Sequence, residues 1–272
     1  MAVHAIAIDL KTRRGGMATR TKAVKAKSGR GKGSRAAPRK TKSPRRLRGT
    51  GAAFVYDSLK AQILDLELQP GTLLDETQVS RQFGVSRSPV REALIRLSAE
   101  GLVQNLRNRT SMVAQFDVAM LPAYFDAMQL LYRLTARLAA ANVIPSKVEG
   151  LRRIVREHEV AVHRGDMRAM ILSNRDFHTA VAEMSGNPFL ASWMRGLLDQ
   201  GQRILRLYAR HLGDNLPDTA LTSHREMVDA IAAGDADRAE KAGRADAQVI
   251  VEEFKRDLSN RPAALLLLHG GK

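Results

Sequence analysis

Residues 84–94 read Gly84-Val85-Ser86-Arg87-Ser88-Pro89-Val90-Arg91-Glu92-Ala93-Leu94, and the fold turns on them. Gly84-Val85 predicts a tight turn, and Ser86 is placed to cap a helix that tolerates Pro89 in its first turn. That helix runs to about Ala99. Its spacing buries Val90, Ala93, Leu94 and Leu97 and presents Arg87, Arg91 and Arg96 on the other face. Upstream, Phe54, Val55, Leu59, Ile63, Leu64 and Leu66 recur at helical spacing until Pro70-Gly71 stops the helix with a turn. Leu73-Leu74 and a short helix from about Asp75 to Phe83 follow. Downstream, Gly101 ends the third helix. Leu102-Val103-Gln104 and Ser111-Met112-Val113 then read as short strands around the polar loop Arg107-Asn108-Arg109-Thr110.

Helix, turn, helix and a basic hairpin is the layout of a winged helix-turn-helix, over residues 50–116. Six Arg between positions 81 and 109, against Glu92 and Glu100 alone, argue for a DNA-facing surface over a solvated packing module. Arg offers guanine O6 and N7 a bidentate fork, and helix-terminal N–H and Ser hydroxyl groups hold phosphates. The run from Val85 to Leu94, with Pro70-Gly71 before it and Glu100-Gly101-Leu102-Val103 after it, closely resembles the GntR regulators. The resemblance implies that Ser86, Arg87, Ser88 and Arg91 contact an operator, helped by Thr77 and by the wing residues Arg107, Asn108 and Arg109. The family often has glycine where Thr110 stands, which makes the wing tip stiffer here.

The charge is concentrated before this unit. The 272 residues carry a net +16, and residues 1–48 hold sixteen Lys and Arg against Asp9 alone. The tail, residues 1–49, has too little apolar surface to offset the entropy of ordering, so its composition predicts a disordered arm. Such an arm either solubilises the protein or tracks nucleic-acid phosphates; Met17 also offers a later start. The absence of cysteine excludes disulfides, thiolate metal sites and a cysteine nucleophile. No stretch approaches the roughly 20 apolar residues that span a bilayer, and residues 1–10 make a poor signal peptide. The expected location is cytoplasmic, on the nucleoid.

Residues 117–259 show 3.6-residue periodicity throughout. They predict an all-α antiparallel bundle of six helices, at about 117–142, 146–164, 166–184, 188–211, 219–233 and 236–259, before a C-terminal tail at 260–272. Asp117, Asp166 and Asp235 are expected to cap, and Ser146 with Glu149 to form a capping box. The Leu190, Trp193, Leu197 and Ile204 stripe predicts a buried face opposite a solvated one bearing Arg195, Arg203, Arg206 and Arg210. Asn174, His178, His224 and Asp246 fall on the apolar faces of three helices, where an unpaired polar group is costly. Imidazole with carboxylate suits a divalent ion such as Zn, Ni or Mn; a hydrogen-bonded core network is the alternative.

Asn174-Arg175-Asp176-Phe177-His178, Ser185-Gly186-Asn187-Pro188, and His224 ahead of Ala230 to Asp235 resemble the ligand-sensing FCD domain of the FadR subfamily. That resemblance implies a divalent metal held by Asn174, His178, His224 and Asp246, the last standing where the family usually has His. It also implies an effector pocket on the first helix of the bundle. The positions where relatives carry an Arg and a Glu are here Met128 and Tyr132, so a carboxylate effector would lack the usual clamp.

The expected protein is therefore a regulator and not an enzyme. There is no nucleophile elbow, phosphate loop, paired carboxylates or HExxH-like motif. The expected form is a homodimeric repressor on a double-stranded, pseudo-palindromic operator, responding to a small-molecule effector for which the resemblance suggests an organic or sugar acid. The alternative is an architectural DNA-binding protein dominated by the arm.

Overall fold

A computed structural model describes residues 50–106, 110–212 and 219–260, with side chains from 51 to 207, apart from 107–109, and from 221 to 256. The basic arm, the wing-tip residues Arg107, Asn108 and Arg109, the Arg210 side chain, Gly213, Pro217 and the Ala263–Leu268 run lie outside the described residues. Among those described, the protein is mostly helical, with nine α-helices and one small sheet.

The DNA-binding unit comprises α1 (Thr50–Leu64), β1 (Leu73–Asp75), α2 (Glu76–Phe83), α3 (Arg87–Ala99), β2 (Val103–Asn105) and β3 (Thr110–Val113). Val55, Leu59 and Ile63 of α1 meet Val90, Ala93, Leu94 and Leu97 of α3 in one core with Leu102, Val103 and Val113. Gly84, with φ 63°, makes the turn between α2 and α3, a conformation that favours glycine. The hairpin expected from the sequence is a three-stranded antiparallel sheet, in order β1-β3-β2. The strand missed, β1, pairs Leu73 with Met112 and Leu74 with Ser111; three residues are too few to show a period.

The first helix also ends earlier than its apolar spacing suggests. Leu66 takes a left-handed φ of 57° two residues past Leu64, and its side chain is buried against Leu207 in the helical unit. A left-handed leucine costs about 1–2 kcal/mol, which a buried leucine side chain offsets with a similar amount. Phe54, expected inside, is exposed and meets Phe83 edge to face.

After a 3₁₀ turn at Val118–Met120 capped by Asp117, six helices follow: α4 (Leu121–Ala141), α5 (Pro145–His163), α6 (Met167–Met184), α7 (Pro188–Leu212), α8 (Thr219–Ala232) and α9 (Ala236–Asn260). Asp166 and Asp235 accept the N–H groups of Ala169 and Arg238, as capping requires. The capping box does not form. Pro145 takes the first position of α5, leaving Ser146 inside the helix, and Glu149 pairs instead with Arg152 and Arg156. The long helices α4 and α9 pack tightly at Gly243, where a Cβ would stand 2.7 Å from the Tyr132 carbonyl oxygen.

The face expected to be solvated on α7 is buried at Arg203 and half-buried at Arg206. Arg203 is 2% exposed and donates to the Ala114 carbonyl, and Arg206 sits 2.7 Å from Asp65. Arg195 is exposed as expected, but so is Trp193, which the expected stripe had placed inside. The buried stripe instead runs through Leu190, Ala191, Met194, Leu198 and Ile204, because α7 is covered on a second side by α1 and the linker.

Candidate operator face and sensor site

Ser86, Arg87, Ser88 and Arg91 are all exposed at the start of α3, and Thr77 on α2 is half-buried. Ser86 occupies the N-cap with extended backbone, yet its side chain makes no capping hydrogen bond. The first N–H groups of α3 therefore stay open for a phosphate oxygen. Arg91 is held from below, its Nε and Nη2 donating to the two oxygens of Glu76 at 2.9 and 2.8 Å. This fork fixes the guanidinium on the exposed face of α3. Arg96 lies over the Tyr56 ring, 3.7 Å from its centroid, which sets it apart from the residues at the helix start.

Within the helical unit, α6, α8 and α9 bring His178, His224 and Asp246 together, all at 1% exposure or less, with ligand-capable atoms within 4.8 Å of one another. Nε2 of His178 is 3.0 Å from Oδ2 of Asp246, and Nε2 of His224 is 3.4 Å from Oδ1. These pairs are close but not aligned as hydrogen bonds. His178 Nε2, both His224 nitrogens and both Asp246 oxygens are buried without a hydrogen-bond partner. Ligand atoms about 2.0–2.2 Å from a shared cation stand roughly 3 Å apart, so the spacing and the donor set fit a divalent ion. Burial pushes the His178 imidazole below its ordinary value, against the pull of Asp246. For Asp246, burial works against ionisation, and the neighbouring imidazoles outweigh it, holding the carboxyl below the usual carboxylate range.

Asn174 stands one turn before His178 and lines the same cavity as Tyr132. The Tyr132 ring stacks on His178 with centroids 3.7 Å apart. Burial is the main cause raising the Tyr132 hydroxyl well above its ordinary value, which keeps it neutral. Met128, Tyr132 and Asn174 line a cavity of about 20 Å³. That is room for a water or an ion, and a metabolite would have to widen it.

Sequence reasoning missed His158 of α5. It is buried, its ring centroid is 5.2 Å from that of His224, and Nδ1 donates to the Ser173 hydroxyl at 2.8 Å, whose own proton goes to Ala169 O. Its signal was present, since Val148, Leu151, Val155, His158 and Ala161 form the buried stripe of α5. The ion pairs that tie the two units were missed as well. Lys60 of α1 reaches Asp199 of α7 at 2.6 Å and Glu100, the C-cap of α3, at 2.8 Å. Asp65 takes Arg168 and Arg206, both at 2.7 Å.

Known proteins resemble both units. Residues 52–113 match the family described as bacterial regulatory proteins, gntR family, and residues 123–248 match the FCD domain. An uncharacterized HTH-type transcriptional regulator in an unstable DNA locus of Streptomyces ambofaciens is 30% identical over 220 residues, 78% of this chain and 89% of the relative. The HTH-type transcriptional repressor RspR of Escherichia coli (strain K12) is 26% identical over 202 residues, 74% of this chain and 88% of the relative. Among solved structures, E. coli McbR/YncC shares the fold at a TM-score of 0.66 and 21% identity, over 78% of this chain and 98% of that one. The chain thus belongs to the GntR family of bacterial transcription regulators, with a winged helix-turn-helix for DNA followed by an FCD domain.

Proposed function

We propose that the protein is a dimeric repressor whose hold on a pseudo-palindromic operator is set by a small molecule bound in residues 117–259. In this reading, residues 50–116 contact DNA through Thr77, Ser86, Arg87, Ser88 and Arg91, joined by Arg107, Asn108 and Arg109 of the wing. The arm at 1–49 adds phosphate affinity without sequence preference, and the protein works on the nucleoid in the cytoplasm. No helix among the described residues is long and apolar enough to cross a membrane. Large apolar side chains left exposed on α4 and α7, Leu130, Phe189 and Trp193, are suited to a dimer contact.

The observation that carries the sensor reading is the buried group at His178, His224 and Asp246. Five buried polar atoms without hydrogen bonds would be costly as a bare core network. His178, His224 and Asp246, with Asn174 as the fourth donor, would hold a divalent ion such as Zn, Ni or Mn. A bound ion would supply a positive centre able to hold an effector's oxygen. Met128 and Tyr132 form the wall of that effector pocket.

Footprinting the full-length chain across its genome tests the operator reading, and sharp palindromic sites are expected. The Arg87→Ala variant should lose about tenfold to hundredfold in affinity for such a site with unchanged thermal stability, because the side chain is exposed. Diffuse, salt-sensitive binding indifferent to Arg87 would favour the architectural role. Elemental analysis tests the metal, and His178→Ala should purify without it.

A further inference from the structure

The cavity beside Tyr132 has a cationic wall that the sequence did not suggest. Arg175, the residue after Asn174, lines it together with Met128, Leu198 and Ile204. One terminal nitrogen of Arg175 donates to Oδ1 of Asp199 at 2.7 Å, while its Nε is buried with no hydrogen-bond partner. A buried donor left unmade costs about 1–3 kcal/mol, so this guanidinium is half-satisfied. Asp199 is itself buried and shared, since its other oxygen lies 2.6 Å from Lys60 of α1. Lys60 also holds Glu100 at the end of α3.

We propose that Arg175 is the anion-binding group of the sensor, and that a small carboxylate binds there in competition with Asp199. The inference rests on the sensor reading above and adds the residue that binds the anion and the carboxylate it must leave to do so. A carboxylate has two acceptor oxygens in one plane and matches the guanidinium fork, supplying the acceptor that Nε lacks. The apolar neighbours Met128, Leu198 and Ile204 suit a short carbon chain, for which the cavity has to widen least. The cation enters from α6, not from the α4 positions Met128 and Tyr132. Competition has a consequence at a distance. Once the ligand draws Arg175 away, Asp199 and Lys60 lose their fixed geometry, and α1 is freed to shift against α7 with the end of α3. The ligand changes DNA affinity to the extent that it binds the two arrangements differently.

The test is calorimetric titration of the full-length protein with acetate, L-lactate, pyruvate, succinate and citrate, with glycerol and D-xylose as neutral probes. At least one carboxylate is expected to saturate the wild type. Arg175→Gln should weaken it about a hundredfold, whereas Asp199→Asn should tighten it about tenfold by removing the competitor. Metal content should be unchanged in Arg175→Gln. A merely structural Arg175 would make both variants weaker, which overturns the proposal, as does a wild type that binds none of the carboxylates. Binding of a neutral probe that is indifferent to Arg175→Gln would leave the sensor reading standing and remove the anion. Silence toward every probe would count against both, with the footprint deciding whether the operator half survives. Lys60→Met should bind the carboxylate like wild type while the ligand-induced change in operator affinity falls below about twofold. A full response in that variant would remove the relay.

Discussion

At the scale of single residues, His158 shows how burial sets chemistry. Burial, and then the nearby His224, push its imidazole down from 6.5 to about 4. An unfolded chain therefore takes up this proton before the folded one does. The stability tied to the neutral ring is complete above pH 6.5 and falls away as the pH drops toward 4. The full difference is worth about 3 kcal/mol. Urea unfolding of the chelator-treated protein at intervals from pH 7 to 4.5 should show this slope. His158→Gln, which keeps a hydrogen-bonding group for Ser173, should flatten it. An equal slope in both proteins would place the acid sensitivity elsewhere. This histidine was legible in principle, because its position in the α5 stripe is a local property. That it lies beside His224 was not legible, because 66 residues of chain separate the two.

At the scale of elements, the approach of α9 to α4 decides where Asp246 stands. Gly243 lies one turn before Asp246, and its missing side chain admits the Tyr132 backbone. Tyr132 in turn stacks on His178. Gly243→Ala puts a carbon where the gap is 2.7 Å to a carbonyl oxygen, backbone that cannot swing aside. We expect a loss of about 1–3 kcal/mol in chemical denaturation, despite the better helix propensity of alanine, together with weaker metal retention. A variant as stable as the wild type would show that α9 shifts at no cost. The helices themselves were largely readable from period and caps, and their errors are instructive. The capping box at Ser146 failed because Pro145 fits the first turn better, and β1 was invisible because a three-residue strand exists only through its partner β3.

At the scale of the molecule, two short-range ionic clusters join the DNA-binding unit to the helical one. Asp65 follows α1 at a turn made by the left-handed Leu66, and there it faces Arg168, Arg206 and Gln202. Asp65→Ala would strand the half-buried Arg206, whose guanidinium is already pulled down by burial against the support of Asp65. The expected result is a loss of about 1–3 kcal/mol and faster cleavage by protease in the linker at 114–120, with the operator face intact. Unchanged proteolysis would mean that Leu66, Leu207 and Arg203 suffice to hold the units together.

What the sequence determined by itself was everything carried by local periodicity and turn chemistry. It yielded the helix-turn-helix with its arginines, the helical second unit, and the inward faces bearing His178, His224 and Asp246. Period alone places a side chain inside or outside a helix once one face is known to be covered. The tertiary structure alone decided which charges on α7 are buried. Arg203 and Arg206 look like a solvated face until the Ala114 carbonyl and Asp65 arrive from remote parts of the chain, as Lys60 does for the buried Asp199. A buried charge is tolerable only when its partner is in place, and no window of sequence contains both members of such a pair. The same reason hid Arg175 and its shared carboxylate, where the sensor meets the DNA-binding unit.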